Sequence, residues 1–183
     1  MMYLVARLYF WVAGWKTVGA IPENINKAII VAAPHTSNID FPLARAFFYI
    51  HKKKVNYVIK KEWMKFILRK FFYATGALPV DRGNAANMVE HMAGLLKNTE
   101  NLFILISPEG TRSSVKKWKS GFYRAAVMAE VPLILAYLDY GKKEAGIGPV
   151  FYPTGDYDED MIFIKGFYSR ITARHPEQYL NMA

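Results

Sequence analysis

The chain has 183 residues, 52% of them hydrophobic, with a formal charge of +9 and no cysteine. That length buries one sizeable core and leaves little for a second, so a single domain over 1–183 is expected. The missing cysteines exclude disulfides, thiol nucleophiles and thiolate metal sites, and the positive charge points to an anionic partner: a membrane surface, a phosphorylated small molecule or a nucleic acid.

The chain opens on "MMYLVARLYFWVAGWKTVGA", where Arg7, Gly14 and Lys16 interrupt the apolar residues. No apolar run there reaches the ~20 residues that cross a bilayer, and no cleavable export signal is evident. Tyr3, Tyr9, Phe10, Trp11 and Trp15 are residue types that prefer the headgroup layer. Residues 1–20 therefore read either as a membrane-surface helix or as a first helix packed on the core. The two readings stand level, because Arg7 and Lys16 fall on opposite sides of one continuous helix.

Further along, apolar β-rich runs alternate with helical patterns. "AIIVAA" (28–33) reads as a buried strand, then "FPLARAFFYI" (41–50) as a helix and "VNYVI" (55–59) as a second strand. "KEWMKFILRKFFY" (61–73) is helical. Its basic stripe of Lys61, Lys65 and Arg69 opposes an apolar face of Trp63, Phe66, Ile67 and Phe71, which suits an anionic membrane surface or an ordinary amphipathic helix on the core. "ALPV" (77–80) is a short strand. Residues 85–97 place Ala85, Val89, Met92 and Leu96 on one helical face. "LFILI" (102–106) is a buried strand, "GFYRAAVMAE" (121–130) a helix and "VPLILAYL" (131–138) a strand. One more strand near "GPVFYP" (148–153) and a helix from about Asp158 complete the chain. The alternation predicts an α/β fold with a mixed central β-sheet flanked by helices.

In that fold, "PHTSNID" and "SPEGTR" follow strands, and loops at the carboxyl ends of strands are where ligands bind. Of four histidines, His91 beside Glu90, His51 at the head of the basic "HKKK" run and His175 before Pro176 read as surface residues. His35, after the apolar "IIVAAP", does not. Asp40 lies five residues on; with a helix starting near Ile39, its carboxylate can accept a hydrogen bond from one imidazole nitrogen and raise the basicity of the other. The same Asp40 reads equally well as a helix N-cap, and the two roles are not exclusive. There is no "G-x-S-x-G" elbow, so a covalent nucleophile lacks support and His35 reads as the base for a substrate hydroxyl. Asp156, Asp158 and Asp160 have calcium-loop spacing, but Met161 and Phe167 stand where glycine and glutamate are required, and the run reads as an acidic helix start. No metal site and no glycine-rich phosphate loop is predicted.

Four blocks, "PHTSNID", "GALPVDR" (76–82), "SPEGTRS" (107–113) and "VPLILAY" (131–137), share order and spacing with those of the glycerolipid acyltransferase family, whose best-known member is lysophosphatidic acid acyltransferase. The resemblance covers roughly residues 30 to 140. It implies that His35 deprotonates the acceptor hydroxyl and that Asp40 orients it. It implies further that Arg82, Glu109, Gly110, Thr111 and Arg112 hold a phosphorylated acceptor, with Val131 and Pro132 on the acyl-donor side or architectural. Lys60 and Lys61 are further candidates for phosphate or acyl-carrier contacts. The implied partners are a lipid acceptor and acyl-CoA or acyl carrier protein as co-substrate, with no resident cofactor and no nucleic acid. The implied setting is cytoplasmic, in peripheral contact with the inner face of a membrane. Pro34 and Ser107 depart from the family pattern, where asparagine and an aromatic are frequent, and both border the acceptor site. Hydroxylated lipids other than lysophosphatidate therefore stay open as acceptors.

Overall fold

Apolar residues in "AIIVAA" run without a polar break because both sides of that strand are covered. The computed structural model describes residues 2–60, 69–80 and 85–179. Their elements are α1 (Met2–Ala13), β1 (Lys16–Val18), β2 (Lys27–Ala32), α2 (Asp40–Ile50), β3 (Asn56–Lys60), α3 (Arg69–Ala74), β4 (Ala77–Val80), α4 (Ala85–Lys97), β5 (Leu102–Ile106), α5 (Gly121–Ala129), β6 (Leu133–Asp139), β7 (Glu144–Phe151) and α6 (Tyr157–Tyr168). Among the described residues the strands form one seven-stranded sheet in the order β1-β7-β6-β2-β5-β3-β4. Ala28 and Ile30 of β2 pack towards α1 and α2 with Phe10, Leu43 and Phe47. Ile29 and Val31 pack towards α4, α5 and α6 with Met92, Leu96, Phe122, Ile164 and Tyr168. A strand buried on both faces has no alternation to show, which is why the period-2 signal is missing.

The sheet is mixed, as expected. β2 runs parallel to β5 and β6, β3 runs parallel to β5 and β4, and β7 is antiparallel to β6. The parallel trio β6, β2 and β5 therefore ends at one edge, where the loops singled out in the sequence emerge.

The start of the chain departs from a single helix over 1–20. α1 stops at Ala13 because Gly14 takes the left-handed φ of 71°, and the Trp15 amide bonds back to the Phe10 carbonyl at 2.8 Å. Lys16–Val18 then pairs with β7 as a parallel edge strand. All three of its residues are exposed, so the sequence carries no burial pattern that would reveal it. The core-packing reading of α1 holds for one side of it: within the helix Ala6 and Phe10 are buried in the core, while Leu4, Val5, Leu8, Trp11 and Val12 stay exposed.

Residues 61–68 of the expected basic helix lie outside the described residues, so Lys61 and Lys65 have no assigned place. Within α3, Arg69 lies 5.8 Å from the Tyr73 ring centroid and Phe71 is exposed. At α6 the acidic run acts as expected: Asp156 is the N-cap and accepts from the amides of Asp158 and Glu159. Asp160 turns inward, to the hydroxyls of Tyr123 at 2.7 Å and Thr154 at 2.8 Å.

Candidate active site

The carboxyl ends of β2, β5 and β6 bring together His35, Glu109 and Tyr140. His35 Nδ1 lies 2.9 Å from Asp40 Oδ2. Asp40 is the first residue of α2, preceded by Ile39 at the cap position, and it does not serve as an N-cap. Its carboxylate turns back onto the loop instead: Oδ2 also accepts the amides of Thr36 at 3.1 Å and Ser37 at 3.0 Å, and Oδ1 accepts the Tyr140 hydroxyl at 2.6 Å.

Burial pushes the Asp40 pKa up, but the hydrogen bonds from His35, Tyr140 and the Ser37 amide outweigh it and hold the carboxyl below its ordinary value. An ionised carboxylate only accepts, so in the neutral imidazole of His35 Nδ1 is the protonated nitrogen and Nε2 carries the lone pair. The imidazole keeps 24% of its side-chain surface exposed while Asp40 keeps 7%. The arrangement sets a partly exposed imidazole against a buried carboxylate.

Glu109 is 3% exposed. Its Oε1 accepts the His35 amide at 3.1 Å and its Oε2 accepts the Ser107 hydroxyl at 2.5 Å. Both oxygens thus bind protein donors, and the carboxylate ties the histidine loop to the loop after β5. Burial pushes the Glu109 carboxyl above its ordinary value, against the hydrogen bonds from Ser107 and the backbone. Gly110 has a φ of 66°, and a Cβ there would come within 3.1 Å of the Lys119 side chain, so glycine lets the loop close on itself. Lys119 is a cation beside this loop that the sequence reading missed. Thr111 and Arg112 are exposed on the same loop, and Thr111 Oγ1 accepts the Ser113 amide at 3.3 Å. Arg82 and Lys61 lie outside the described residues, and Lys60 closes β3 with only its backbone described.

Glu109 gives a test that separates its charge from its bonds. In Glu109→Gln the amide oxygen still accepts the His35 amide, and the amide NH2 donates to Ser107 once that hydroxyl turns round. In Glu109→Ala the His35 amide is buried without a partner, a loss of ~1–3 kcal/mol. Because the folded-state pKa is raised, the wild type loses stability as pH rises through that pKa, and Glu109→Gln lacks this loss. Chemical denaturation of the three proteins at acid and neutral pH reads both effects. Equal destabilisation by Gln and Ala contradicts the bonding.

The sequence reading also missed Tyr140 and the C-terminal segment. The His175 amide donates to Thr36 Oγ1 at 3.2 Å. The Gln178 amide, oriented so that its NH2 donates, bonds the carbonyls of Thr36 at 3.3 Å and Arg112 at 2.6 Å. Residues far along the chain thus tie down both site loops. The rule that strand carboxyl ends carry ligand loops was available for Tyr140, which directly follows β6; nothing comparable marks Gln178. His51, read as a surface residue, has its ring 4.4 Å from Phe47, its Nε2 is buried with no hydrogen-bond partner among the described residues, and burial pushes its pKa down.

A sequence model of the acyltransferase family matches residues 18–138. Over 144 residues the chain is 28% identical to the probable 1-acyl-sn-glycerol-3-phosphate acyltransferase of Mycoplasma pneumoniae, covering 73% of this chain and 53% of that protein. It therefore spans about half the length of that curated relative. The crystal structure of a 1-acyl-sn-glycerophosphate acyltransferase from Thermotoga maritima aligns with a TM-score of 0.60 at 18% identity, over 92% of this chain and 76% of the other, a likeness of fold.

Proposed function

The chain belongs to the acyltransferase family, and on that premise we propose that it transfers an acyl chain from a CoA or acyl-carrier-protein thioester to the free hydroxyl of 1-acylglycerol 3-phosphate or a closely similar lipid. The observation that carries this reading is the His35–Asp40 pair at the edge of the sheet, with Nε2 as the free base. Nε2 takes the proton of the acceptor hydroxyl as its oxygen attacks the thioester carbonyl. The tetrahedral adduct then expels the thiol, whose reference pKa of ~8.5 makes a thiolate a tolerable leaving group. The imidazolium returns its proton to that thiolate, so one base serves both halves of the reaction. Arg112, Thr111 and Lys119 on the Gly110 loop, together with Arg82, Lys60 and Lys61, are the groups assigned to the phosphates of the two substrates, guanidiniums favouring the bidentate contact.

Incubating the purified protein with a labelled acyl thioester and a panel of lysolipids, and weighing the products, tests this. A new diacyl phospholipid supports it. A protein that binds the lipids yet transfers nothing is an inactive lipid-binding module, and the proposal fails.

We assign the enzyme to a membrane surface. Among the described residues no helix is long and apolar enough to cross a membrane. Against that, α1 exposes Leu4 at 67%, Leu8 at 60%, Trp11 at 79% and Val12 at 71%, a patch large enough to mark an interaction site. Lys52, in the basic run after α2, places its ammonium 5.3 Å from the ring centroid of Tyr3 in α1, so a cation lies beside α1. Vesicle cosedimentation should favour anionic lipid and weaken with salt. Leu8→Ser together with Trp11→Ser, which spares the buried Ala6 and Phe10, should release most of the remaining protein. Indifference of the wild type to all vesicles at low salt overturns this assignment.

A further inference from the structure

We propose that Tyr140 is a positioning residue for acyl transfer: its hydroxyl holds Oδ1 of Asp40, so that Oδ2 fixes His35 in the orientation and tautomer of a base. The inference rests on the function proposed above. It concerns a residue just beyond the segment matched by the family.

A carboxylate is held more firmly about its last torsion when both oxygens are engaged than when one is. Oδ2 carries three donors from its own loop: His35 Nδ1, the Thr36 amide and the Ser37 amide. Oδ1 takes its bond from Tyr140, at 2.6 Å and 100 positions along the chain. Tyr140 is itself held in place. Its amide donates to the Thr172 carbonyl at 2.9 Å, its ring meets Trp15 edge-on at 5.0 Å, and the Arg174 guanidinium lies 5.9 Å from its ring centroid. Burial and the bond to Asp40 push the Tyr140 pKa far above that of a free phenol, against the lowering effect of Arg174, so the hydroxyl stays a donor throughout the neutral range. Among the described residues, the charged and titratable groups that contact the His35–Asp40 pair or its loop include Tyr140 after β6, Glu109 after β5 and His175, whose amide bonds Thr36, with Arg174 beside the Tyr140 ring.

The hydroxyl does two things that separate in an experiment. It aims the carboxylate, which favours turnover. It also draws off part of the carboxylate's charge, leaving less to stabilise the imidazolium. Tyr140→Phe should therefore lower kcat roughly tenfold with little change in either KM, because orientation rather than binding is lost. At the same time the acid limb of the kcat–pH profile should move up by about half a pH unit. The His35 Nδ1 proton resonance should move downfield as the bond to Asp40 tightens. A filler role for Tyr140 predicts a lower melting temperature with the limb and the resonance unmoved, and that result overturns the proposal.

Replacing Tyr140 with 3-fluorotyrosine keeps the packing and makes the phenol a stronger donor, so limb and resonance should move the opposite way; if they do not, the proposal fails even where Tyr140→Phe folds poorly. The proton resonance needs no substrate. A wild type that transfers no acyl group defeats the functional reading alone, whereas an unmoved resonance in both variants defeats the role of Tyr140 alone.

Discussion

Replacing His35 with alanine should lower kcat by at least about 10²-fold, the contribution typical of a positioned general base, with KM for both substrates and the melting temperature little changed. The expectation of a normal fold comes from what the imidazole does not hold. The bond that anchors the loop to Glu109 uses the His35 backbone amide, and alanine keeps it. Asp40 keeps the amides of Thr36 and Ser37 and the Tyr140 hydroxyl, so its charge is not stranded when Nδ1 is removed. What disappears is Nε2, the nitrogen that Asp40 does not hold. Steady-state kinetics with saturating thioester and acceptor reads the loss as a drop in kcat and kcat/KM together, the pattern of a group that acts in the transition state. Near-normal turnover in His35→Ala removes His35 from the chemistry.

Much of this architecture was legible in the sequence because the signals concerned burial. β2, β5 and β6 are double-faced apolar runs, and Val89, Met92 and Leu96 of α4 recur at helical spacing and are all buried. The convergence of the His35 and Glu109 loops followed from the fold class, once both were placed at the carboxyl ends of strands. Direction within the site was less legible. A glutamate in "SPEGTRS" reads as a ligand group for the acceptor, and nothing in its neighbours announces that Ser107 and the His35 amide occupy both its oxygens. Asp40 had two equally good local roles, and the structure favours one by turning its carboxylate to His35 Nδ1 while Ile39 takes the cap position. β1 was invisible for the opposite reason: a three-residue exposed edge has backbone pairing but no side-chain pattern. Sequence periodicity reports which face is dry; it is silent on which of several donors a buried carboxylate meets.

That ambiguity at Asp40 makes Asp40→Asn the sharpest second test. An N-cap role would make the change nearly silent, since asparagine caps helices about as well as aspartate. The structure predicts otherwise. The asparagine oxygen can take the place of Oδ2 and keep the three loop donors, while its NH2 faces the Tyr140 hydroxyl, which turns to accept. The shape of the site survives and its charge does not. Without the carboxylate the imidazolium formed at proton transfer is unsupported, and kcat should fall by about 10²–10⁴-fold. Combined with His35→Ala, the loss should scarcely exceed that of either change alone, because the two side chains act as one unit. Stability supplies an independent reading. The Asp40 pKa is depressed in the fold, so its contribution is present above the unfolded value and is lost as pH falls through the folded one. Wild-type denaturation midpoints should therefore drop more steeply than those of Asp40→Asn once the pH passes below 3.8, the ordinary value for the group. Parallel acid profiles together with near-wild-type turnover would mean that the carboxylate neither titrates against His35 nor supports it.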